Sequence, residues 1–134
     1  MIGHARNLMT ERVISVEPEM PLADIVRVLV AGSHGGLPVV DEEERVVGFI
    51  SEQDVLEAVL RGTPPETPVR DLMTNPVLVV DEFSTTDEVM SMLRDGKVGH
   101  LPVVRAERLV GIITPHDVLR YFVQRVLPVP NEDA

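Results

Sequence analysis

Residues 37–40 read L-P-V-V, and residues 101–104 repeat the same four letters. The repetition extends further, because R-N-L-M-T at residues 6–10 returns as R-D-L-M-T at residues 70–74. Corresponding residue numbers in these pairs differ by 64, as in 101 minus 37. Self-similarity at a long fixed period indicates structural units that each fail to bury an apolar face alone. We therefore predict two copies of one unit packed around one shared core.

The spacing between the copies changes once, after the second L-P-V-V stretch. Gly48 corresponds to Gly111 and Asp54 to Asp117, so the difference has fallen to 63. One residue is therefore missing from the second copy near residues 105–107. Surface turns tolerate such deletions, and we expect a turn at this point.

The composition favours a compact α/β protein. The chain has 134 residues, of which 44% are hydrophobic but only 3% aromatic, so Val, Leu, Ile and Met must build the core. A formal net charge of −10 without any compact Lys/Arg run argues against a nucleic-acid partner. No stretch approaches the roughly 18 apolar residues of a membrane span, and residues 1–10 do not resemble a signal sequence. We expect a soluble, cytoplasmic protein.

The sequence offers little for metal binding or catalysis. There is no cysteine, and the four histidines have no short metal-ligand spacing, so we predict no metal site. Neither a G-x-S-x-G motif nor a Walker A motif is present. We therefore do not expect an enzyme.

Each copy is predicted to run strand, helix, strand, strand, helix. The predicted strands are residues 13–16, 37–40 and 45–50 in the first copy and residues 77–80, 101–104 and 108–113 in the second. The predicted helices are residues 22–32 and 52–61 in the first copy and, in the second, about residues 84–96, stopped at Gly96, and residues 115–126. The proline-rich residues 62–68 form a linker, because prolines interrupt any helix there. The repeats thus occupy residues 5–61 and 69–126, and residues 127–134 form a flexible tail.

The motifs that close each copy identify a family resemblance. G-F-I-S-E-Q-D at residues 48–54 and G-I-I-T-P-H-D at residues 111–117, with the L-M-T and L-P-V-V motifs, resemble the CBS domain, named after cystathionine β-synthase. Two in tandem resemble a Bateman module. The resemblance covers roughly residues 5–125 and implies an α/β (α+β) fold of two β-α-β-β-α repeats with pseudo-two-fold symmetry. It is closest to stand-alone members of the family, whose regulated partner is another chain.

The most chemically suggestive residues stand where the last helix of each copy begins. Ser51 with Asp54 and Thr114 with Asp117 have the spacing of a capping box, and Pro115 occupies the favoured first helical position. A carboxylate at a helix start can also accept both hydroxyls of a ribose, while the helix dipole attracts phosphate. Both interpretations can hold together.

The resemblance implies two clefts between the copies, in each of which an aspartate holds the ribose of an adenosine nucleotide. The Asp117 cleft would comprise Thr10, Ile14, Gly35, Gly36, Thr114, His116 and Asp117. The Asp54 cleft would comprise Ser51, Asp54, Thr74, Leu78, Gly99 and His100. His100, together with Lys97, is the expected phosphate contact, although an isolated histidine equally suits a partly exposed position without a ligand. The scarcity of Arg and Lys favours AMP, ADP, S-adenosylmethionine or an empty site over ATP.

Two functions remain open at this stage. The first is a regulatory module that binds an adenosine ligand, from AMP, ADP or ATP to S-adenosylmethionine, and modulates a separate partner protein. The alternative is a purely structural dimerisation module with unoccupied clefts. A homodimer is expected in either case, through the helices that carry Val55 and Val59 in the first copy and Val118 and Phe122 in the second. No cofactor is expected to be required.

Overall fold

Helices and strands follow the order of two copies of one unit. The computed structural model of the chain describes residues 3–32, 35–95 and 98–129. The first copy contains α1 (Ala5–Leu8), α2 (Leu22–Gly32), β1 (Gly36–Val40), β2 (Val46–Ser51) and α3 (Glu52–Leu60). The second copy contains a 3-10 helix (Val69–Asp71), β3 (Val80–Asp81), α4 (Thr86–Asp95), β4 (Leu101–Arg105), β5 (Arg108–Ile113) and α5 (Pro115–Arg125). The predicted helix stop at Gly96 and residues 130–134 of the predicted tail lie outside the described residues.

Each copy builds its sheet around an antiparallel hairpin. Strand β1 pairs with β2, and β4 pairs with β5, as the repeated L-P-V-V pattern predicted. The two sheets meet where Arg45 bridges Arg108, and the Leu109 N–H donates to the Glu44 carbonyl at 3.0 Å. Arg45 and Arg108 are corresponding residues, since 108 minus 45 is 63. The pseudo-two-fold axis that relates the copies therefore passes between them.

The one-residue deletion falls in the second hairpin turn. Strands β4 and β5 are joined by Ala106 and Glu107, whose φ angles are 49° and 70°. Two consecutive residues with positive φ are typical of the tight turn that matches the twist of a hairpin. In the first hairpin the connection is longer, and the Asp41 carboxylate organises it by accepting the Glu43 and Arg45 backbone N–H groups at 2.9 Å. The copies thus close equivalent hairpins with different turns.

The first predicted strand of each copy is much shorter than expected. In the first copy only Val16 pairs, through a single parallel bridge to Val39, and in the second copy only Val80–Asp81 forms a strand. The reason is that the chain crosses between sheets just before these points. Thr10 is paired with Ile112 of the second sheet, so the five residues that follow must cross to the first sheet and cannot run beside β1.

This crossing also overturns the prediction of one shared core, because the structure contains two. Each core holds a segment supplied by the other copy: α1 packs into the second core, and Val69 packs into the first. The first core consists of Val16, Leu22, Ile25, Leu29, Leu37, Val39, Ile50, Val55, Ala58 and Val69. The second consists of Ala5, Leu8, Val80, Val89, Leu101, Val103 and Ile113. The opening segments of the two copies are therefore exchanged.

The exchanged segments approach the sheets closely at two glycines. A Cβ atom on Gly48 would lie 2.2 Å from the Met73 sulfur, and one on Gly111 would lie 2.4 Å from the Met9 sulfur. Any side chain at these positions would displace the methionine that follows each opening turn. The two glycines are therefore required by close packing.

The outer helices α3 and α5 expose apolar residues, although not all of those predicted. Val55 is buried in the first core, and Val118 is half-buried against the second, so neither is among the exposed residues. The exposed apolar residues of these helices are Leu56, Val59, Leu60, Leu119, Phe122 and Val123. Of the four residues predicted for this surface, Val59 and Phe122 are therefore exposed. The rest of the exposed apolar surface comes from residues that the sequence did not single out.

We predict that Gly48→Ala destabilises the protein by about 1 to 3 kcal/mol, because the added methyl group overpacks the contact with Met73. Urea unfolding measures the change, and Gly99→Ala is the matched control, since a Cβ atom there meets nothing within 4 Å. In a Met73→Ala background the Gly48→Ala change should cost less, giving a favourable coupling energy in a double-mutant cycle. Equal unfolding midpoints for Gly48→Ala and Gly99→Ala would contradict the packing argument.

Candidate ligand-binding clefts

A cavity of about 470 Å³ lies at the start of α3, where the two copies meet. It is lined by Phe49, Ser51, Asp54, Thr74, Pro76, Val77, Leu78, Val98, Gly99 and His100. All six residues predicted for the Asp54 cleft line this cavity, whereas Lys97 lies outside the described residues. The sequence reasoning missed Phe49, although the two-residue period of β2 places it on the same face as Ser51. The volume lies within the range of small-molecule sites.

The Asp54 carboxylate is held by the helix cap but keeps one oxygen free of protein donors. Ser51 is the N-cap of α3, and its hydroxyl accepts the Asp54 backbone N–H at 3.0 Å. In return Oδ2 of Asp54 accepts the Ser51 backbone N–H at 3.1 Å. No donor among the described residues bonds to Oδ1 of Asp54. The cap thus orients the carboxylate of a residue that lines the cavity and engages only one of its two oxygens among the described residues.

Thr74 reaches this cleft because its segment is exchanged. It pairs with Phe49 of β2, donating its N–H to the Phe49 carbonyl at 2.8 Å and accepting the Phe49 N–H at 3.1 Å. The opening segment of the second copy is thereby fixed beside the last strand of the first. A ligand in the cavity would contact both copies at once.

His100 forms one wall of the cleft at the entrance to β4. Its ring lies against the Phe49 ring, with centroids 5.2 Å apart and planes tilted by 35°. Burial lowers the pKa of His100 below its ordinary value of 6.5, which favours the neutral imidazole near pH 7. Among the described residues that line the cleft there is no Lys or Arg, so Asp54 dominates its charge.

Gly35 and Gly36 lie behind the same wall. A Cβ atom on Gly35 would approach the His100 ring to 3.0 Å, and one on Gly36 would approach the Phe49 ring to 2.6 Å. Both glycines were assigned to the Asp117 cleft from the sequence, yet they touch the side chains that line the Asp54 cleft. Their lack of a side chain leaves room for His100 and Phe49.

The Asp117 carboxylate has a different environment, since it is 3% exposed and fully engaged. Oδ1 accepts the Thr10 hydroxyl at 2.7 Å and also bonds to the Arg120 guanidinium. Oδ2 accepts the Thr114 backbone N–H at 2.8 Å and the Thr114 hydroxyl at 3.1 Å. The predicted proximity of Thr10, Thr114 and Asp117 is therefore present, and Arg120 is an additional member that the sequence reasoning missed.

The remaining residues assigned to the Asp117 cleft are open to solvent. Ile14 is 49% exposed, and His116 is exposed on the first turn of α5. His116 therefore lies beside the N-cap of α5, and the described residues show no hydrogen bond from it to the Asp117 cleft.

Opposing effects set the protonation of Asp117. Burial alone would raise its pKa, but hydrogen bonds from the Thr10 hydroxyl, the Thr114 N–H, the Arg120 guanidinium and the Thr114 hydroxyl outweigh burial. Together they hold the pKa below its ordinary value of 3.8. Asp117 is therefore ionised at neutral pH and contributes stability that is lost only when the pH falls through its lowered pKa.

Among the residues that the structure describes, no helix combines the length and apolar character needed to cross a membrane. Within the same ranges, no group of three or more His, Asp or Glu side chains is placed to hold a metal ion.

The two repeats match a known family. The sequence profile of the CBS domain matches residues 5–61 and residues 69–124. This chain belongs to the CBS domain family. The tandem pair of CBS repeats and the mixed α+β fold predicted from the sequence are thereby confirmed.

Solved CBS-domain structures have the same architecture. The crystal structure of CBSX2 in complex with AMP is 32% identical, with a TM-score of 0.81, and covers 90% of this chain and 96% of CBSX2. A putative acetoin utilization protein, AcuB, from Vibrio cholerae is 27% identical, with a TM-score of 0.85 over 92% of this chain and 94% of that protein. The CBS domain pair of protein MJ0100, at 24% identity and a TM-score of 0.81, covers 93% of this chain and 99% of its own and shares the fold.

The curated relatives differ widely in the share of their length that matches this chain. Inosine-5'-monophosphate dehydrogenase from Methanocaldococcus jannaschii is 35% identical over 120 residues, which are 89% of this chain but 23% of that enzyme. The chain spans 41% of the uncharacterized protein MJ1225 from the same organism, at 31% identity over 86% of the chain. Hypoxic response protein 1 from Mycobacterium tuberculosis is closer in length: the match covers 92% of this chain and 87% of that protein, at 25% identity.

We predict that Asp117→Ala destabilises the protein by about 2 to 3 kcal/mol, while Asp54→Ala costs about 1 kcal/mol. Both variants lose a helix-capping bond, but only Asp117→Ala leaves the half-buried Thr10 hydroxyl and the Arg120 guanidinium without the carboxylate that accepts from them. Urea denaturation of the two variants in parallel measures the difference. Equal losses of unfolding free energy would show that the additional bonds to Asp117 contribute nothing.

We also predict that His100 makes folding sensitive to mild acid. Burial depresses the pKa of His100 in the folded protein, so the unfolded chain takes up a proton at this residue more readily than the folded chain does. The free energy of unfolding is therefore at its full value above about pH 6.5 and declines as the pH falls below that value. Between about pH 7.5 and about pH 5.5 the urea midpoint of the wild type should therefore fall more than that of His100→Gln. His116→Gln, at an exposed position, is the matched control and should follow the wild type. Parallel pH profiles for the wild type and His100→Gln would refute the prediction.

Proposed function

We propose that this chain is a regulatory module that binds an adenosine ligand in the Asp54 cleft and modulates a separate partner protein. The observation that carries the proposal is the capped Asp54 carboxylate, which lines a cavity of about 470 Å³ and whose Oδ1 receives no bond from any donor in the described ranges. An ionised carboxylate accepts two hydroxyl donors readily, and a ribose presents two adjacent hydroxyls. Further support comes from CBSX2, a relative at 32% identity whose crystal structure is a complex with AMP.

The walls of the cleft suit a nucleoside more than a polyphosphate. Leu78, Val98 and the Phe49 ring provide apolar surface for a base, and Gly99 leaves the backbone accessible. The described lining supplies no Lys or Arg to neutralise several phosphate charges, and His100 is neutral near pH 7. We therefore propose AMP or an adenosyl compound such as S-adenosylmethionine, with ADP and ATP as weaker ligands.

The position of the cleft between the copies supplies a means of regulation. Ser51 and Asp54 belong to the first copy, whereas Thr74, Leu78 and His100 belong to the second. A ligand that contacts both sets binds most tightly to one relative arrangement of the copies and shifts the population toward it. The outer helices α3 and α5 would transmit such a shift to a partner.

The second candidate function is a structural dimerisation module. Its supporting observation is the exposed apolar surface of α3 and α5, where Val59 is 52% exposed and Leu119 64% exposed. We propose a homodimer through these helices under either function. Ligand binding, and not the oligomeric state, therefore distinguishes the two candidates.

The experiment is a calorimetric titration with AMP, ADP, ATP and S-adenosylmethionine, supported by thermal unfolding. Ligand at about 100 times its dissociation constant adds about 2.7 kcal/mol of stability, which should raise the unfolding midpoint by several degrees. We predict that Asp54→Ala weakens binding in this cleft by at least about tenfold, since a charge-assisted hydrogen bond is removed.

A matched control separates lost recognition from lost stability. Thr85→Ala removes a comparable helix-capping bond, in which the Thr85 hydroxyl accepts the Glu88 N–H at 3.1 Å, without altering the lining of the cleft. It should bind the ligand as the wild type does. If none of the four compounds binds the wild type, the regulatory proposal fails and the dimerisation module is left.

A further inference from the structure

The helices that follow the two aspartates carry opposite charges at one corresponding position. Arg120, one turn after Asp117 on α5, directs its guanidinium to Oδ1 of Asp117 and lies 3.4 Å from the Thr10 hydroxyl. The corresponding residue of the first copy is Glu57, since 120 minus 57 is 63. Glu57 carries the opposite charge and cannot donate to Asp54. Both copies thus keep the aspartate, whereas the residue three positions after it differs in charge.

The hydrogen-bonding capacity of Asp117 is exhausted by the protein. An ionised carboxylate offers about four lone-pair sites. Four donors occupy them: the Thr10 hydroxyl, the Thr114 backbone N–H, the Thr114 hydroxyl and the Arg120 guanidinium. A ribose hydroxyl would have to displace one of these donors. Asp54, by contrast, accepts a single bond from the described residues, the Ser51 N–H.

Of these four donors, Arg120 is the one that can be removed without disturbing the fold. The Thr114 bonds form the cap of α5, and Thr10 belongs to the exchanged segment that pairs with Ile112. The Arg120 side chain is 41% exposed, and its only described bonds are to Asp117 and Thr10. From this partly exposed position, Arg120 occupies the site on Oδ1 of Asp117 to which a ligand hydroxyl would donate.

We propose that Arg120 determines the ligand stoichiometry by closing the Asp117 cleft, so that each chain binds one adenosine ligand, at Asp54. The guanidinium acts as an internal substitute for the ribose hydroxyls. The inference rests on the proposed function for the identity of the ligand, while the closure of Asp117 is argued from its own contacts. Removal of Arg120 should restore an acceptor on Asp117 and open a second site.

Calorimetric titration with AMP tests this inference through the number of sites per chain. We expect one site in the wild type and two in Arg120→Ala. Glu57→Ala is the matched control at the corresponding position of the first copy and should keep one site. Asp54→Ala should bind AMP at least about tenfold more weakly than the wild type, and the double variant Asp54→Ala/Arg120→Ala should regain one site of higher affinity. Arg120→Met, which preserves helix propensity and side-chain length but has no hydrogen-bond donor, repeats the test if Arg120→Ala folds poorly.

The outcomes separate the inference from the proposed function. If both Arg120 variants bind no more AMP than the wild type, the inference is overturned whatever the wild type binds. Two sites in the wild type would also overturn it, while leaving the proposed function intact. If the wild type binds no AMP and Arg120→Ala binds one molecule, the proposal for Asp54 fails and the closure of Asp117 by Arg120 is supported.

Discussion

Two pairs of backbone hydrogen bonds, between Thr10 and Ile112 and between Thr74 and Phe49, determine how the repeats assemble. Each pair joins the opening segment of one copy to the second hairpin strand of the other. The bonds are short, from 2.8 to 3.1 Å, and lie beside the glycines that make room for the preceding methionines. Because α1 and the 3-10 helix are thereby placed in the opposite cores, neither copy completes its core alone. The duplication is consequently a single cooperative unit and not two independent domains.

The same exchange creates the clefts. Thr10 and Thr74 pair just before the last helix of the other copy begins. This brings the Thr10 hydroxyl onto Asp117 and places Thr74 in the cavity that Asp54 lines. A cleft assembled in this way takes its walls from both copies. Helix capping and ligand recognition are compatible here, because the cap fixes the carboxylate through Oδ2 and leaves Oδ1 for another donor. Local secondary structure therefore preorganises the site at little additional cost in free energy.

The repeated sequence predicted the hairpins and the helix caps, because these depend on local pattern. The residues proposed for the Asp54 cleft came from the family resemblance, and the structure places six of them around one cavity. The exchange of segments could not be predicted in the same way. Apolar residues such as Leu8 and Met9 indicate that their segment packs against a core, but they do not indicate which of two similar sheets receives it. The prediction of a single core and of longer first strands failed for this reason.

The inequivalence of the clefts had a signal in the sequence, the pair Glu57 and Arg120, which copy-to-copy alignment places at the same position. Its meaning depended on geometry. A residue three positions after an aspartate on a helix can turn toward it or toward solvent, and only the structure shows the Arg120 guanidinium on Asp117. His100, which the sequence singled out instead as a phosphate contact, forms a wall of the Asp54 cleft and does not alter the acceptor itself.

The asymmetry gives the proposed ligand a defined mechanical effect. At Asp117 the Thr10 hydroxyl and the Arg120 guanidinium tie the opening segment of the first copy to α5 of the second. At Asp54 no described side chain makes the corresponding tie to Thr74. A ligand that bridges Asp54 and the Thr74 segment would supply the missing connection, so its binding free energy would add to the association of the copies on that side alone. The bonds among Thr10, Asp117 and Arg120 would then hold the copies together on one side. The contact between the copies on the Asp54 side would be the one that changes when the proposed ligand binds.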